Sequence, residues 1–457
     1  MDIDTKIIEY IDVHEQEFLD DLKKIIKLPT IGAQKEHDDD AKTCVNFLST
    51  LLHQAGIDDV KILDQYARPL LFAQKILNPN YKTILLYAHY DVQPAESLEL
   101  WNTDPFTLTV KDDKMYGRGV SDDKGSVIML IKAVESLIKT QNLKCNVKFI
   151  FEGGEETGST DFIDFLQNKE NLEILKNDLT LVCDCSIFDK NKPLICIGTR
   201  GIVCMELRVI GANRDVHSGL FGGVVGNPIH AISSIINSFH DDDNKVAIEG
   251  FYDNVETISQ RDHDICEKVN FDDVVKRDLG VSDFVKEKDL LEVECTGLRP
   301  TIEVNGIEGG YCGEGFKTII PSFAKAKISC RLVSEQDPMS TFYCVKKHIE
   351  KHLPQGFSFE LDLIDGGGKA FKVDIDTEDF KNYCTAFAQE YDRAPLPSFD
   401  GGSIGVVSYM KECLNKNILL CGFSENDSLI HSPNENLRVE NFFKGIKVLA
   451  RFLYCAK

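Results

Sequence analysis

Five apolar runs in this chain end in side chains that can bind a cation or move a proton. "LLYAHYDVQP" closes on His89 and Asp91, and "MYGRGVSDDKG" presents Asp122 and Asp123 just ahead of a helical pattern. "FIFEGGEETG" sets Glu155 and Glu156 side by side after a strand pattern, "LVCDCS" holds Asp184, and "LLCGFSENDSLIHSP" carries His431 in the loop after a strand. Singly, most have plain explanations. A histidine in an apolar strand usually bonds a carbonyl. An aspartate before a helix caps it, and glutamates favour a helix N-terminus. Asp184 is harder to explain away, because an unpaired buried carboxylate is costly. Together they form a set of imidazoles and carboxylates without thiolates. Two histidines and three carboxylates suit a hydrolytic zinc pair, with manganese or cobalt as alternatives. One carboxylate bridging two ions about 3.5–4 Å apart is the usual two-metal arrangement.

Strand ends are where such residues belong in an open α/β sheet, since ligands bind outside the carboxyl ends of the strands. The flanking pattern supplies that sheet. "FLDDLKKIIKLP" and "AKTCVNFLSTLLHQAGI" read as amphipathic helices ended by Pro29 and Gly56. "TILLYAHYDV", "NVKFIF" and "LTLVCDC" are short apolar runs of buried-strand length. Between them, "SVIMLIKAVESLIK" places Val127, Ile128, Ile131, Val134 and Leu137 at helical spacing, and "STDFIDFLQNK" is a further helix. Strand–helix alternation predicts a mainly parallel sheet covered on both faces. After about residue 200 the texture changes to β-α-β-β-α-β: "VCMELRVIG", "NPIHAISSIINSFH", "TIEVNGIEGG", "SFAKAKISCRLV", "MSTFYCVKKHIEKHL" and "FSFELDLIDGG". A charged stretch from about 240 to 298, read as irregular, interrupts it. That order predicts a ferredoxin-like α+β layer. The first texture returns near 370. The expected organisation is an α/β domain over 1–203 and 370–457, with an inserted α+β domain over 204–369.

Bulk properties exclude some functions. A net charge of -23 disfavours a groove that tracks nucleic-acid phosphates. No apolar run approaches a membrane span, and "MDIDTKIIEY" lacks the basic and apolar regions of a signal peptide. Fifteen cysteines, scattered singly and without a C-x-x-C, read as buried thiols in a reducing cytoplasm. His348 and His352 share a helix face in "HIEKH", but the glutamate is displaced from the H-E-x-x-H pattern, so a packing or surface role is expected.

The ordered series "AHYDVQP", "YGRGVSDDKG", "EGGEETGS", "RDVHSG", "GGYCGEGFKTIIP", "RLVSEQDP" and "GGSI" strongly resembles the M20 metallopeptidases, and most of all their dipeptidase branch. The match runs from about residue 20 to the C-terminus. The resemblance implies a di-metal catalytic domain and an inserted lid that dimerises. It implies that His89, Asp122 and Asp184 hold one ion, and that Asp122, Glu156 and His431 hold the other. Asp91 would orient His89; two positions apart on a strand, the two point the same way, and a metal-bound histidine normally gives its second N–H to a carboxylate. By the same resemblance the Asp122–Asp123 peptide is cis. Glu155 would be the general base toward the attacking water, and His217 would stabilise the oxyanion from the neighbouring subunit. Arg331 would grip the substrate's C-terminal carboxylate, with Thr318, Ser403 and Asp400 as further substrate contacts. Within that family an aspartate at position 184 goes with aminopeptidases and dipeptidases, and a glutamate with carboxypeptidases and deacylases. The stretch "SFDGGSIG" departs from the branch: Phe399 stands for Arg, Asp400 for Glu and Gly405 for Pro. If that acid holds the substrate's amine, amine recognition is altered.

Three functions are therefore set against one another. The first is a di-metal dipeptidase working through a water activated by Glu155. The second is an N-acyl-amino-acid deacylase of the same family, kept open by the change at Asp400. The third, a metal-free binding protein on the same fold, conflicts with the full set of ligand positions and the base.

Overall fold

The computed structural model describes residues 5–95, 97–188, 192–271, 273–365 and 367–456. Residues 1–4, at the head of the expected first domain, lie outside them. The chain parts into two compact units. One comprises Met1–Ile197, Lys372–Ser398 and Val406–Lys457; the other comprises Gly198–Phe371 and Phe399–Gly405. The first break falls ahead of the expected 203/204, because the strand Gly201–Ile210 pairs along its whole length with Phe323–Leu332 in the second unit's sheet. The segment Phe399–Gly405, expected in the first domain, counts with the second. It is tied there by Asp400 N to Gly198 O at 2.8 Å and Arg200 N to Gly402 O at 2.9 Å.

The first unit is built on six strands in the spatial order Asp59–Leu63, Leu70–Lys75, Asn146–Glu152, Thr83–His89, Leu179–Phe188, Asn417–Glu425. The first two junctions are antiparallel and the other three parallel. Every residue of Asn146–Glu152 is buried, as is Thr83–His89 from Ile84 onward. That burial on both faces is why these strands read as unbroken apolar runs. The helix Lys124–Lys139 packs against Val439–Cys455, and its residues from Lys124 to Leu137 are all buried. Its apolar spacing suggested one buried face. The polar positions are also enclosed because Lys132 Nζ meets Asp21 and Glu135 carboxylates at 2.8 Å each.

The second unit carries a four-stranded antiparallel sheet in the order Thr301–Gly309, Phe323–Leu332, Gly201–Ile210, Ser358–Asp365. In chain order this is 2-3-1-4, the ferredoxin-like arrangement. Alternate residues of Gly201–Ile210, from Val203 to Val209, enter one core with the helices Pro228–Asn237 and Pro338–His352. Asn227 and Asp337 start those helices, their side chains accepting from Ile229 N and Ser340 N ahead of a proline in the first turn. The stretch from 240 to 298, read as irregular, contains the helices Gln260–Val269, Asp273–Leu279 and Glu292–Gly297. They are too short and too charged for a clear apolar period.

Candidate active site

The parallel strands of the first unit deliver the chemistry-bearing residues to one edge. His89 is the last residue of its strand and pairs in register with Glu152. Asp184 sits differently. In the pairing of Leu179–Phe188 with Asn417–Glu425, Cys183 faces Cys421 and Cys185 faces Gly422, so Asp184 is the extra residue of a bulge. A bulge re-aims a side chain out of the strand alternation. Gly422 makes this possible, since a Cβ there would lie 1.5 Å from Cys185 O. The turn after Asn146–Glu152 also depends on close approach: a Cβ on Gly153 would lie 2.4 Å from the Tyr90 ring.

These elements bring seven side chains together. His89 Nε2 lies 2.9 Å from Asp122 Oδ1 and 3.7 Å from Asp184 Oδ1. His431 Nε2 lies 2.9 Å from Asp122 Oδ2 and 3.2 Å from Glu156 Oε2. Asp122 thus offers one oxygen to each imidazole. The ligand atoms of His89, Asp122 and Asp184 all lie within 4.8 Å of one another, and so do those of Asp122, Glu156 and His431. Asp91 Oδ1 is 3.2 Å from His89 Nδ1. The Asp91 carboxylate also accepts from the backbone N–H of Glu155 at 3.2 Å and of Glu156 at 3.1 Å. It therefore anchors the glutamate turn as well as the imidazole. The Asp122–Asp123 peptide is cis.

Electrostatics show what the pocket is suited to hold. Burial, reinforced by Asp184, Asp122 and Glu156, pushes Glu155 well above the usual carboxylate range, against the pull of His89. Burial raises Asp184 to about 6, even though His89 works the other way. Burial opposes protonation of His89, but Asp122, Asp184 and Asp91 outweigh it and hold that imidazole well above its ordinary value. Asp122 and Glu156 raise His431 to about 10. Asp122 stays well below the carboxylate range, because His431 and His89 overcome its burial. So much negative charge in one buried place calls for cations. Two orphaned atoms fit that conclusion: buried His89 Nε2 has no aligned hydrogen bond, and buried Glu156 Oε1 has no partner. The donor set contains nitrogen and oxygen only. It fits a pair of divalent ions, each held by three side chains, with Asp122 common to both.

Two supporting residues escaped sequence reasoning. Gln93 Nε2 donates to Glu156 Oε2 at 2.7 Å and orients that carboxylate. Glu435 is fully buried and collects four donors: Arg118 Nη1 at 2.8 Å, Gly119 N at 3.0 Å, Ser121 N at 2.9 Å and Asp122 N at 3.1 Å. It folds the Asp122 loop around itself from the same connection that carries His431. Gln93 lies in "AHYDVQP", so its place beside His89 was a usable signal. Glu435 in "SPNENLR" has no such local signal, since its four donors come from more than 300 residues earlier in the chain.

The second unit holds the remaining candidates in two groups. His217 pairs in register with Ile319, next to Thr318, whose carbonyl accepts from Ser218 N at 3.0 Å. His217 Nδ1 accepts from Gly219 N at 2.9 Å, which leaves the ring proton of the neutral imidazole on Nε2. Arg331 Nη1 donates to Ser403 Oγ at 2.7 Å. Asp400 Oδ1 accepts from Gly402 N at 2.8 Å, so that carboxylate braces its own turn. His348 and His352 stack at 4.1 Å, and His348 Nε2 meets Ser238 Oγ at 2.9 Å. Burial lowers His348 to about 4, in keeping with packing.

Known proteins match this chain over nearly its full length. A Cys-Gly metallodipeptidase of Saccharomyces cerevisiae is 28% identical over 474 residues, covering 98% of this chain and 97% of the relative. A Beta-Ala-His dipeptidase of Rattus norvegicus is 28% identical over 465 residues, covering 98% and 94%. The solved structure of a Saccharomyces cerevisiae di-peptidase superposes with a TM-score of 0.85 at 26% identity, covering 98% of each chain. The family model for peptidase family M20/M25/M40 matches residues 85–454, and this chain belongs to that family of metallopeptidases.

Proposed function

We propose that this chain is a di-metal dipeptidase that hydrolyses the peptide bond of small dipeptides. The observation that carries the reading is the pair of three-residue clusters sharing Asp122, with Glu155 beside them. Zinc fits the mixed imidazole–carboxylate donors, with manganese or cobalt as alternatives. His89, Asp122 and Asp184 would hold one ion and Asp122, Glu156 and His431 the other. When bound, the ions supply Lewis acidity and lower the pKa of water.

The chain's own groups do the rest. Asp91 fixes the His89 ring and, through two backbone N–H groups, the Glu155–Glu156 turn. Glu155 accepts a proton at its carboxylate from the attacking water and returns it to the leaving amine. Its buried setting raises its basicity above that of an ordinary carboxylate. His217 offers Nε2–H to the oxyanion, with Thr318 alongside. Arg331 and Ser403, bonded to each other, bind the C-terminal carboxylate of the substrate. Asp400 is a weaker candidate for the substrate's amine, since Gly402 N already occupies one of its oxygens.

The lid reading of the second unit agrees with exposed apolar residues on it: Leu220 is 74% exposed, Val224 86% and Phe316 fully exposed. A homodimer through this unit would cover them. The fifteen cysteines are thiols rather than disulfides, which supports a reducing, cytoplasmic setting. No helix among the described residues is long and apolar enough to cross a membrane.

The test is release of free amino acids from a dipeptide panel, set against release from N-acetyl and N-succinyl amino acids, before and after chelation. Cleavage of dipeptides that is lost with chelator and restored by zinc or manganese is expected. Cleavage of the acylated substrates alone would refute the dipeptidase reading.

A further inference from the structure

The turn over 400–403 gathers two arginines. Arg200 N donates to Gly402 O at 2.9 Å and Arg200 Nε to Gly401 O at 3.0 Å, while Arg331 Nη1 reaches Ser403 Oγ at 2.7 Å. Arg200 Nη1 also lies 3.4 Å from Arg299 O. Both arginines line one cavity of about 660 Å³ within the second unit, along with Thr301, Glu303 and Ser329. Among the described residues neither has a carboxylate within 4.0 Å. Arg299, at the same cavity, contrasts with them: Glu287 engages it through two bonds of 2.9 Å each.

The charges near the pair do not cancel. Burial first, and then the neighbouring Arg331, lower Arg200 to about 10, while Asp400 and Glu303 act against this. Glu303 is solvent-exposed, so its charge is screened. Two guanidinium groups facing Asp400 leave one positive charge to be balanced, which is one carboxylate's worth. Geometry agrees with the count. After its bonds to Gly401 O and Arg299 O, Arg200 keeps three of its five N–H donors. A carboxylate has about four lone-pair directions and can take two forks at once.

We infer that Arg200 is a second substrate-binding group which, with Arg331, grips the C-terminal carboxylate of the dipeptide and makes a free carboxylate a strict requirement. The inference rests on the dipeptidase reading above. Arg200 and Arg331 are presented by one turn, so substrate binding and the order of that turn are coupled.

The experiment compares Ala-Leu with Ala-Leu amide, in wild type, Arg200→Met and Arg200→Lys, all metal-loaded and checked by thermal melting. Wild type should favour the acid by about 100-fold or more, the scale of charge-assisted bonds to two guanidinium groups. Arg200→Met should lose about 10- to 100-fold in kcat/KM on the acid, mostly through KM, with little change on the amide. Arg200→Lys keeps the charge without the fork and should fall between. An equal fall on both substrates in Arg200→Met means a purely structural arginine and overturns the inference. So does an unchanged acid-to-amide ratio. If Arg200→Met does not fold, the lysine variant decides, and a full wild-type ratio in it is the overturning result. Wild type cleaving neither compound nor any other dipeptide would instead remove the dipeptidase reading itself.

Discussion

Replacing Glu435 by Gln should weaken both metal sites together, although Glu435 belongs to neither cluster and meets the shared Asp122 only through its backbone N–H. Among the described residues its carboxylate is the only acceptor for Gly119 N, Ser121 N and Asp122 N, and it pairs with buried Arg118. Its Oε2 serves Arg118 and Gly119, and its Oε1 serves Ser121 and Asp122. Glutamine keeps one carbonyl oxygen and turns an NH2 group toward the other pair of donors. Two buried donors are left facing a donor, each costing about 1–3 kcal/mol, for a total of about 2–6 kcal/mol. The loop must move to relieve this, and Asp122 moves with it. If only about 1.4 kcal/mol of the strain reaches the Asp122 oxygens, each ion's affinity falls about tenfold. The assay is metal content by mass spectrometry with chelator competition at both sites, alongside a melting curve of the metal-free protein. His431→Ala is the control and should weaken one site far more than the other, since it belongs to one cluster. Glu435→Gln leaving both affinities at wild type, or lowering only one, would refute the argument that Glu435 acts by placing the shared aspartate.

Other outcomes follow from the same geometry. Glu155→Ala should retain both ions and lose about 10²–10⁴-fold in turnover, the usual range for a proton-transfer group, whereas Glu156→Ala should lose metal; equal metal loss in both would overturn the division of roles. His217→Ala should lower kcat with metal content unchanged. If His217 acts across a homodimer, mixing the inactive Glu155→Ala and His217→Ala chains should restore partial activity, and no recovery in a proven mixed dimer would sink that idea. Glu152 is buried beneath Tyr87 Oη at 2.6 Å and Ser159 Oγ at 3.0 Å, and burial raises it to about 8. Between the unfolded value near 4.5 and about 8 the folded protein holds a proton that the unfolded chain has released, so this group's contribution to stability falls as pH rises. Glu152→Gln should therefore gain stability relative to wild type across that window, by at most about 1.4 kcal/mol per pH unit. A stability difference that does not vary with pH would contradict the assignment.

Much of the architecture is local and hence readable. Buried parallel strands have to be apolar on both faces, so Thr83–His89 and Asn146–Glu152 stand out as short unbroken runs. The residues that end those runs are visible for the same reason, because a histidine or carboxylate there interrupts an apolar pattern. The alternation in Gly201–Ile210 announces a sheet with one covered face. Less was legible where the cause lies far away in the chain. The helix Lys124–Lys139 reads as one-sided, but its polar side is enclosed because Asp21 arrives from another helix to neutralise Lys132. The stretch from 240 to 298 shows no clear period, because its helices are too short to repeat one.

The sequence by itself determined which side chains are available and where each strand stops. It also carried the ordered motifs that point to a metallopeptidase. Only the tertiary structure decided how those groups meet. The bulge that turns Asp184 toward His89 depends on Gly422 of a strand more than two hundred residues away, because only a residue without a Cβ lets Cys185 O approach so closely. The placement of Asp122 depends on Glu435, whose carboxylate satisfies three backbone donors and an arginine that nothing in the local sequence could serve. The division of Phe399–Gly405 to the second unit, with Arg200 and Arg331 held at one turn, likewise comes from bonds between segments distant in the chain. Local patterns follow from backbone periodicity and burial. A site that binds cations follows from long-range packing, which alone can bring like charges close enough to need them.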